Sequence, residues 1–218
     1  NSTRLYRMTA FSGMTIFGMV LGGWASNNKY ALLGGMRAGA QMISYEIPLV
    51  MSVLGVILLT GSLNLTDIVL QQEHGWFILY QPIAFIVFFI ASIAELNRTP
   101  FDLPESENEL VAGYFVEYSG FRWAFFMLTE YVYMFAMSSL ITVIFLGGWL
   151  PPLDILGFIP GAVWFALKFS VVVFVYMWLR ATLPRFRIDR LMEFAWKVLF
   201  PVALANIFLT ALIKTLFF

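Results

Sequence analysis

Six separate runs of roughly twenty mostly apolar residues dominate this chain, the length an α-helix needs to cross the hydrocarbon core of a bilayer. They fall at Met8–Trp24, Glu46–Leu65, Phe77–Ala94, Arg122–Trp149, Ile155–Leu179 and Trp196–Phe217. Hydrocarbon offers no partner to backbone N–H and C=O groups, so a spanning segment closes its own hydrogen bonds, as a helix does. A soluble domain could not bury this much: 61% of the 218 residues are hydrophobic and 12% charged, against about a quarter charged in an ordinary globular domain. The expected fold is an all-α polytopic transmembrane bundle of about six spans. It forms a single membrane domain over 1–218, with a structured acidic loop at 95–121. The first run follows Arg4 and Arg7, as a signal peptide would. Gly22-Gly23-Trp24-Ala25-Ser26 lacks the small-x-small cleavage pattern, however, and further spans follow, so it reads as a true span.

Several chemistries are excluded at once. The chain has no cysteine and one histidine, His74, which rules out a disulfide scaffold, thiolate-held iron–sulfur clusters, zinc fingers and bis-histidine haem. No metal site is expected, and His74 reads as a solvated loop residue. Any electron carrier working beside this chain sits on another one. A net charge of +0 gives no basic footprint for nucleic acid.

The loops differ sharply in charge. Lys29, Arg37, Arg98, Arg122, Arg180, Arg185, Arg187, Arg190 and Lys197 flank the loops after the first, third and fifth spans, nine of the 13 basic residues. The opposite side holds Arg4, Arg7 and Lys214. Positive loops stay on the side of synthesis, which places them in the cytoplasm of a bacterial plasma membrane or the matrix of an organelle.

Acids concentrate in one of these loops. Glu95, Asp102, Glu105, Glu107, Glu109 and Glu117 lie between the third and fourth spans, interleaved with Phe101, Leu103, Leu110, Tyr114 and Phe115. Pro100 and Pro104 stop the third helix from continuing, and Pro104 can open a new turn. The bland reading is a solvated acidic loop. The apolar residues favour a loop folded against the membrane domain, where partial loss of water raises a carboxylate's proton affinity.

Three charges fall within or at the edge of apolar runs: Glu46 opens the second, Glu130 lies roughly 12 Å inside the fourth at 1.5 Å per residue, and Lys168 is near the middle of the fifth. A charge at that depth costs a few kcal/mol unless it is paired or hydrated, so such groups read as proton or ion relays or as members of buried pairs. Lys168 is an intramembrane relay candidate whose alternative is a buried pair with a carboxylate. The segment Ser26–Gln41 is rich in glycine and reads as a tightly packed loop, re-entrant or interfacial. The basic, aromatic stretch Arg180–Arg190 fits either an anchor for lipid headgroups or a docking surface for an acidic partner.

Taken together these segments resemble one family. The blocks are Gly23-Trp24-Ala25-Ser26-Asn27-Asn28-Lys29-Tyr30 with Leu33–Ala38, Gln41-Met42-Ile43-Ser44-Tyr45-Glu46, Ala94–Gly120, and Trp178–Met192. They are similar to the quinone-site membrane subunit of proton-pumping NADH:quinone oxidoreductase, respiratory complex I, over essentially the whole chain. The resemblance implies a membrane component forming part of the quinone chamber and of the charged route that couples quinone reduction to proton translocation. It implies Glu46, Glu95, Asp102, Glu105, Glu107, Glu109, Glu117 and Glu130 as the acids of that route, and Arg37, Arg98 and Arg180 as counter-charges. Quinone would be the substrate. NADH, FMN and iron–sulfur clusters would belong to peripheral-arm partners, beside other membrane subunits of the complex. Family members carry further N-terminal spans that shape the quinone entrance, so this sequence reads as part of such a subunit. Outside this resemblance, the same acids would suit the equivalent subunit of a membrane-bound hydrogenase or another donor:quinone oxidoreductase, a stand-alone proton channel, or a passive anchor.

Overall fold

The computed structural model describes the backbone of residues 4–73, 75–102, 113–152 and 158–217, and their side chains from 13 to 216. Glu105, Glu107, Glu109, His74 and the turn expected after Pro104 lie outside the described residues.

The apolar runs are helices. The first is α1, Arg4–Ala25. Asn27 in the left-handed region turns the chain (φ 48°), and the Asn28 side chain caps the next helix by accepting from the Tyr30 N–H at 3.0 Å. That helix, α2, runs Lys29–Thr60. Its 32 residues at 1.5 Å each make it about 48 Å long, well beyond the ~30 Å hydrocarbon thickness. The glycine-rich stretch expected as a loop is therefore the first three turns of α2. Its glycines serve approach between backbones rather than chain reversal. A Cβ on Gly34 would stand 2.8 Å from the Gly113 Cα, and one on Gly23 of α1 would stand 2.6 Å from the Ala31 carbonyl oxygen. Because the obstacle at Gly23 is backbone, Gly23→Ala should cost about 1–3 kcal/mol through overpacking. A lowered thermal midpoint of the solubilised protein, with Gly18→Ala unaffected as the open-space control, is the expected result.

Helices α1, α5 and α9 pack against α2, and α6 packs against α7. After α3 (Leu65–Leu70), the third run is split into α4 (Phe77–Tyr80) and α5 (Pro82–Glu95). Pro82 opens α5, where its missing N–H is no loss. Buried Gln81 repairs the break: its Nε2 donates to the Gly55 carbonyl (3.1 Å) and to Thr210 Oγ1 (3.0 Å). A short 3₁₀ turn, Gly113–Phe115, precedes α6 (Phe121–Ile144), and α7 follows at Gly161–Thr182. The final run begins earlier than expected, at Ile188. It comprises α8 (Ile188–Phe194), one π turn (Ala195–Leu199) and α9 (Phe200–Phe217).

Four helical stretches are long and apolar enough to cross a membrane: Lys29–Thr60, Phe121–Ile144, Gly161–Thr182 and Ile188–Leu216. Gly13–Ala25 and Pro82–Glu95 are shorter apolar helices. Tyr45, Val56, Phe88, Ile141 and Phe145 centre the core. Phe125, Val132, Phe135, Val171 and Phe174 point outward, as a lipid-facing surface would. The charged loops meet at one end of the bundle. Arg185 Nη2 donates to Asp102 at 2.8 Å, the Phe186 N–H to the Pro100 carbonyl at 3.1 Å, and Asn28 Nδ2 to Glu117 at 3.3 Å. At the other end Lys214 Nζ donates to the Leu58 carbonyl at 2.6 Å, near the C-terminus of α2.

Candidate functional site: a buried cluster of carboxylates

Glu95 and Glu130 come from two helices and meet at one cavity, and Glu46 of a third helix lies near Glu95. Glu95 is the last residue of α5 and only 3% exposed. Gln41 of α2 holds that helix end in place, its Nε2 donating to the carbonyls of Ala94 (2.7 Å) and Phe101 (2.9 Å). One carboxylate oxygen of Glu95 accepts a hydrogen bond from the Tyr133 hydroxyl at 2.6 Å. The other is buried with no hydrogen-bond partner among the described residues. Glu130, on α6, is 8% exposed and ion-paired with Arg98. Arg98 also lies over the Tyr131 ring, 5.3 Å from its centroid.

Glu95 and Glu130 line one cavity of about 140 Å³, together with Tyr133, Thr129, Thr15 and Asn97. At ~30 Å³ per molecule in the liquid, such a space can take several waters, and these side chains offer donors and acceptors to them. Glu46 of α2 is half-buried, and a Cβ added to Gly13 of α1 would lie 3.4 Å from its Oε1. Its charge repels that of Glu95.

The remaining candidates stand apart from the cavity. Asp102 is tied to Arg185 in the loops, and Glu117 is exposed beside Asn28. Arg37 is half-buried on α2, and Arg180 is exposed at the end of α7. Lys168 lies at the opposite end of the bundle from the charged loops. It is buried, and its ammonium donates to three carbonyls, those of Leu146 (2.6 Å), Gly148 (3.3 Å) and Leu150 (2.7 Å). It also stands 4.7 Å from the centroid of the Trp76 ring. These carbonyls follow the C-terminus of α6, where the chain turns through Gly147 and Gly148 with positive φ (73° and 51°). A cation there meets the negative end of the helix dipole. Lys168 thus has carbonyls where a buried carboxylate stood as the alternative to a relay role. Among the described residues no three His, Asp or Glu side chains converge as a metal ion would require.

Two site residues escaped the sequence reading. Tyr133 lies three positions after Glu130, and that helical spacing puts both on one face of α6. Gln41 was visible only as part of a motif. Its role depends on the C-terminus of α5, 53 residues away.

A helical bundle that places two carboxylates on one cavity and pairs one of them with an arginine defines a class: a polytopic membrane protein with a buried ionisable cluster. Within that class, the chain belongs to the NADH dehydrogenase family, whose model it matches over residues 2–211. It is 74% identical over 209 residues to the H subunit of the NADH-quinone oxidoreductase of Anoxybacillus flavithermus, and equally so to those of Bacillus thuringiensis and Bacillus cereus. In each case the match covers 96% of this chain and 62% of the relative, so the chain spans about three fifths of the length of these relatives.

Proposed function

We propose that this chain is part of a membrane subunit of an NADH:quinone oxidoreductase and carries the charged route linking quinone reduction to proton translocation. The single observation carrying this reading is that Glu95 and Glu130, from two helices, line one cavity, with Glu46 of a third helix close enough to interact with Glu95. The family membership and the names of its relatives agree with it. Quinone reduction takes two electrons and two protons. With no cysteine on this chain, the flavin and iron–sulfur clusters would sit on peripheral-arm partners. Adding charge to a quinone near the loop end changes the field at Glu95. At an effective dielectric near 20, unit charges 4 Å apart interact by about 4 kcal/mol, which is enough to bias a protonation equilibrium, though short of a full switch. Glu46 and Glu130 then respond, and the signal leaves through neighbouring membrane subunits. Asp102, Glu105, Glu107, Glu109 and Glu117 would supply the loop portion of the route, with Arg37, Arg98 and Arg180 as counter-charges. The charged loops would face the cytoplasm of a bacterial plasma membrane.

The test is Glu46→Gln and Glu130→Gln in the assembled complex, in membranes. Coupled quinone reductase activity per assembled complex should fall at least about tenfold in each, equivalent to ~1.4 kcal/mol of barrier. Wild-type rates with normal proton pumping in both variants would remove the relay role.

A further inference from the structure

A second, smaller cavity shares Glu130 with this site and lies in the groove between α6 and α7 at the charged-loop end. It measures about 30 Å³, and its lining includes Arg98, Arg180, Thr99, Tyr131, Met134 and Met177. Tyr131, Met177 and Arg180 are exposed, so the groove opens outward between the helices. We infer that this groove binds the phosphate group of a membrane phospholipid.

Two guanidinium groups and a threonine side chain line one small space. Guanidinium carries five N–H donors in a fork that matches phosphate oxygens. The contacts of Arg98 to Glu130 and Met127 use its Nη2. Arg180 makes no ion pair or side-chain hydrogen bond among the described residues. With Glu130 neutralising one arginine, the lining keeps one net positive charge, the complement of a phosphodiester. Besides Glu130, Tyr131 and Tyr176, the rest of the lining is apolar. Met134 and Met177 border the groove, and the outward surface of the same two helices carries Val132, Phe135, Val171 and Phe174. The order is therefore cationic at the loop end and apolar toward mid-bilayer, which is that of a phospholipid headgroup and its acyl chains. A soluble anion would use only the first half of this surface.

The test places a photocrosslinking amino acid, p-benzoylphenylalanine, at Met177 in the assembled protein in native membranes. The same residue at exposed Phe174 is the control for ordinary surrounding lipid. Mass spectrometry should find a phospholipid adduct at 177 that falls about tenfold with Arg180→Gln, the effect of losing one charge-assisted hydrogen bond, and survives Arg180→Lys better. The adduct at 174 should not change. Excess inorganic phosphate should leave the adduct at 177 in place, because acyl contacts hold the lipid; its loss would assign the site to free phosphate and overturn the inference. A lipid adduct indifferent to Arg180→Gln would reduce the groove to general lipid contact. A polypeptide adduct would assign it to a protein partner. Either result overturns the inference, and none depends on whether the chain couples quinone chemistry to protons.

Discussion

Arg98→Ala should destabilise the protein by about 3–5 kcal/mol, the typical cost of removing one partner from a buried ion pair. Glu130 is 8% exposed, on a helix whose outer face meets lipid, so its carboxylate has little access to water once the guanidinium is gone. The contact with the Tyr131 ring is lost at the same time. The loss should appear as a lower thermal midpoint in detergent and a smaller yield of assembled protein. A double-mutant cycle separates pairing from packing. If the penalty is mainly the orphaned charge, Glu130→Gln added to Arg98→Ala should recover most of the lost stability. A double variant no better than Arg98→Ala alone would assign the loss to packing and refute the ion-pair account.

Lys168→Met should cost at least about 3 kcal/mol. Methionine fills nearly the same volume, so the change isolates the ammonium group. Three carbonyls, of Leu146, Gly148 and Leu150, lose their donor together. Hydrogen bonds to a charged group contribute about 1.5–3 kcal/mol each, and a buried acceptor left without a partner costs a similar amount. The measurement also decides between two roles for this residue. A capping role predicts low yield and low thermal stability, with near-normal turnover per assembled molecule. A relay role predicts normal assembly and lost turnover. Lys214 offers an internal comparison, since it makes the same kind of contact to Leu58 and Leu59 in a more exposed setting. Lys214→Met should therefore be the milder change.

These two residues show where sequence reasoning reached its limit. That Glu130 and Lys168 each needed a partner followed from the cost of a charge among apolar neighbours. Which partner each found did not follow. Arg98, in the acidic loop, and Glu130, on α6, are 32 positions apart, and only the tertiary fold brings them together. Lys168 reads as isolated in sequence because its acceptors are backbone carbonyls, which carry no side-chain signature. The glycine-rich stretch misled for a related reason. Glycine lowers helix propensity by up to about 1 kcal/mol per residue, so Gly34, Gly35 and Gly39 argue locally for a loop. In the bundle, close approach to α1 and to Gly113 overrides that preference.

By itself, the sequence determined the helical class, the run of apolar segments, the grouping of basic residues and the resemblance to one family. Each of these rests on residue type or short-range order, because a bilayer demands about twenty apolar residues in a row and sorts charge by loop. The tertiary structure alone decided that Glu95 meets Tyr133 rather than an arginine, that Glu95 and Glu130 share a cavity, and that Lys168 closes the end of α6. Those outcomes depend on helix rotation and crossing, which set distances between residues tens of positions apart and leave no periodic trace along the chain.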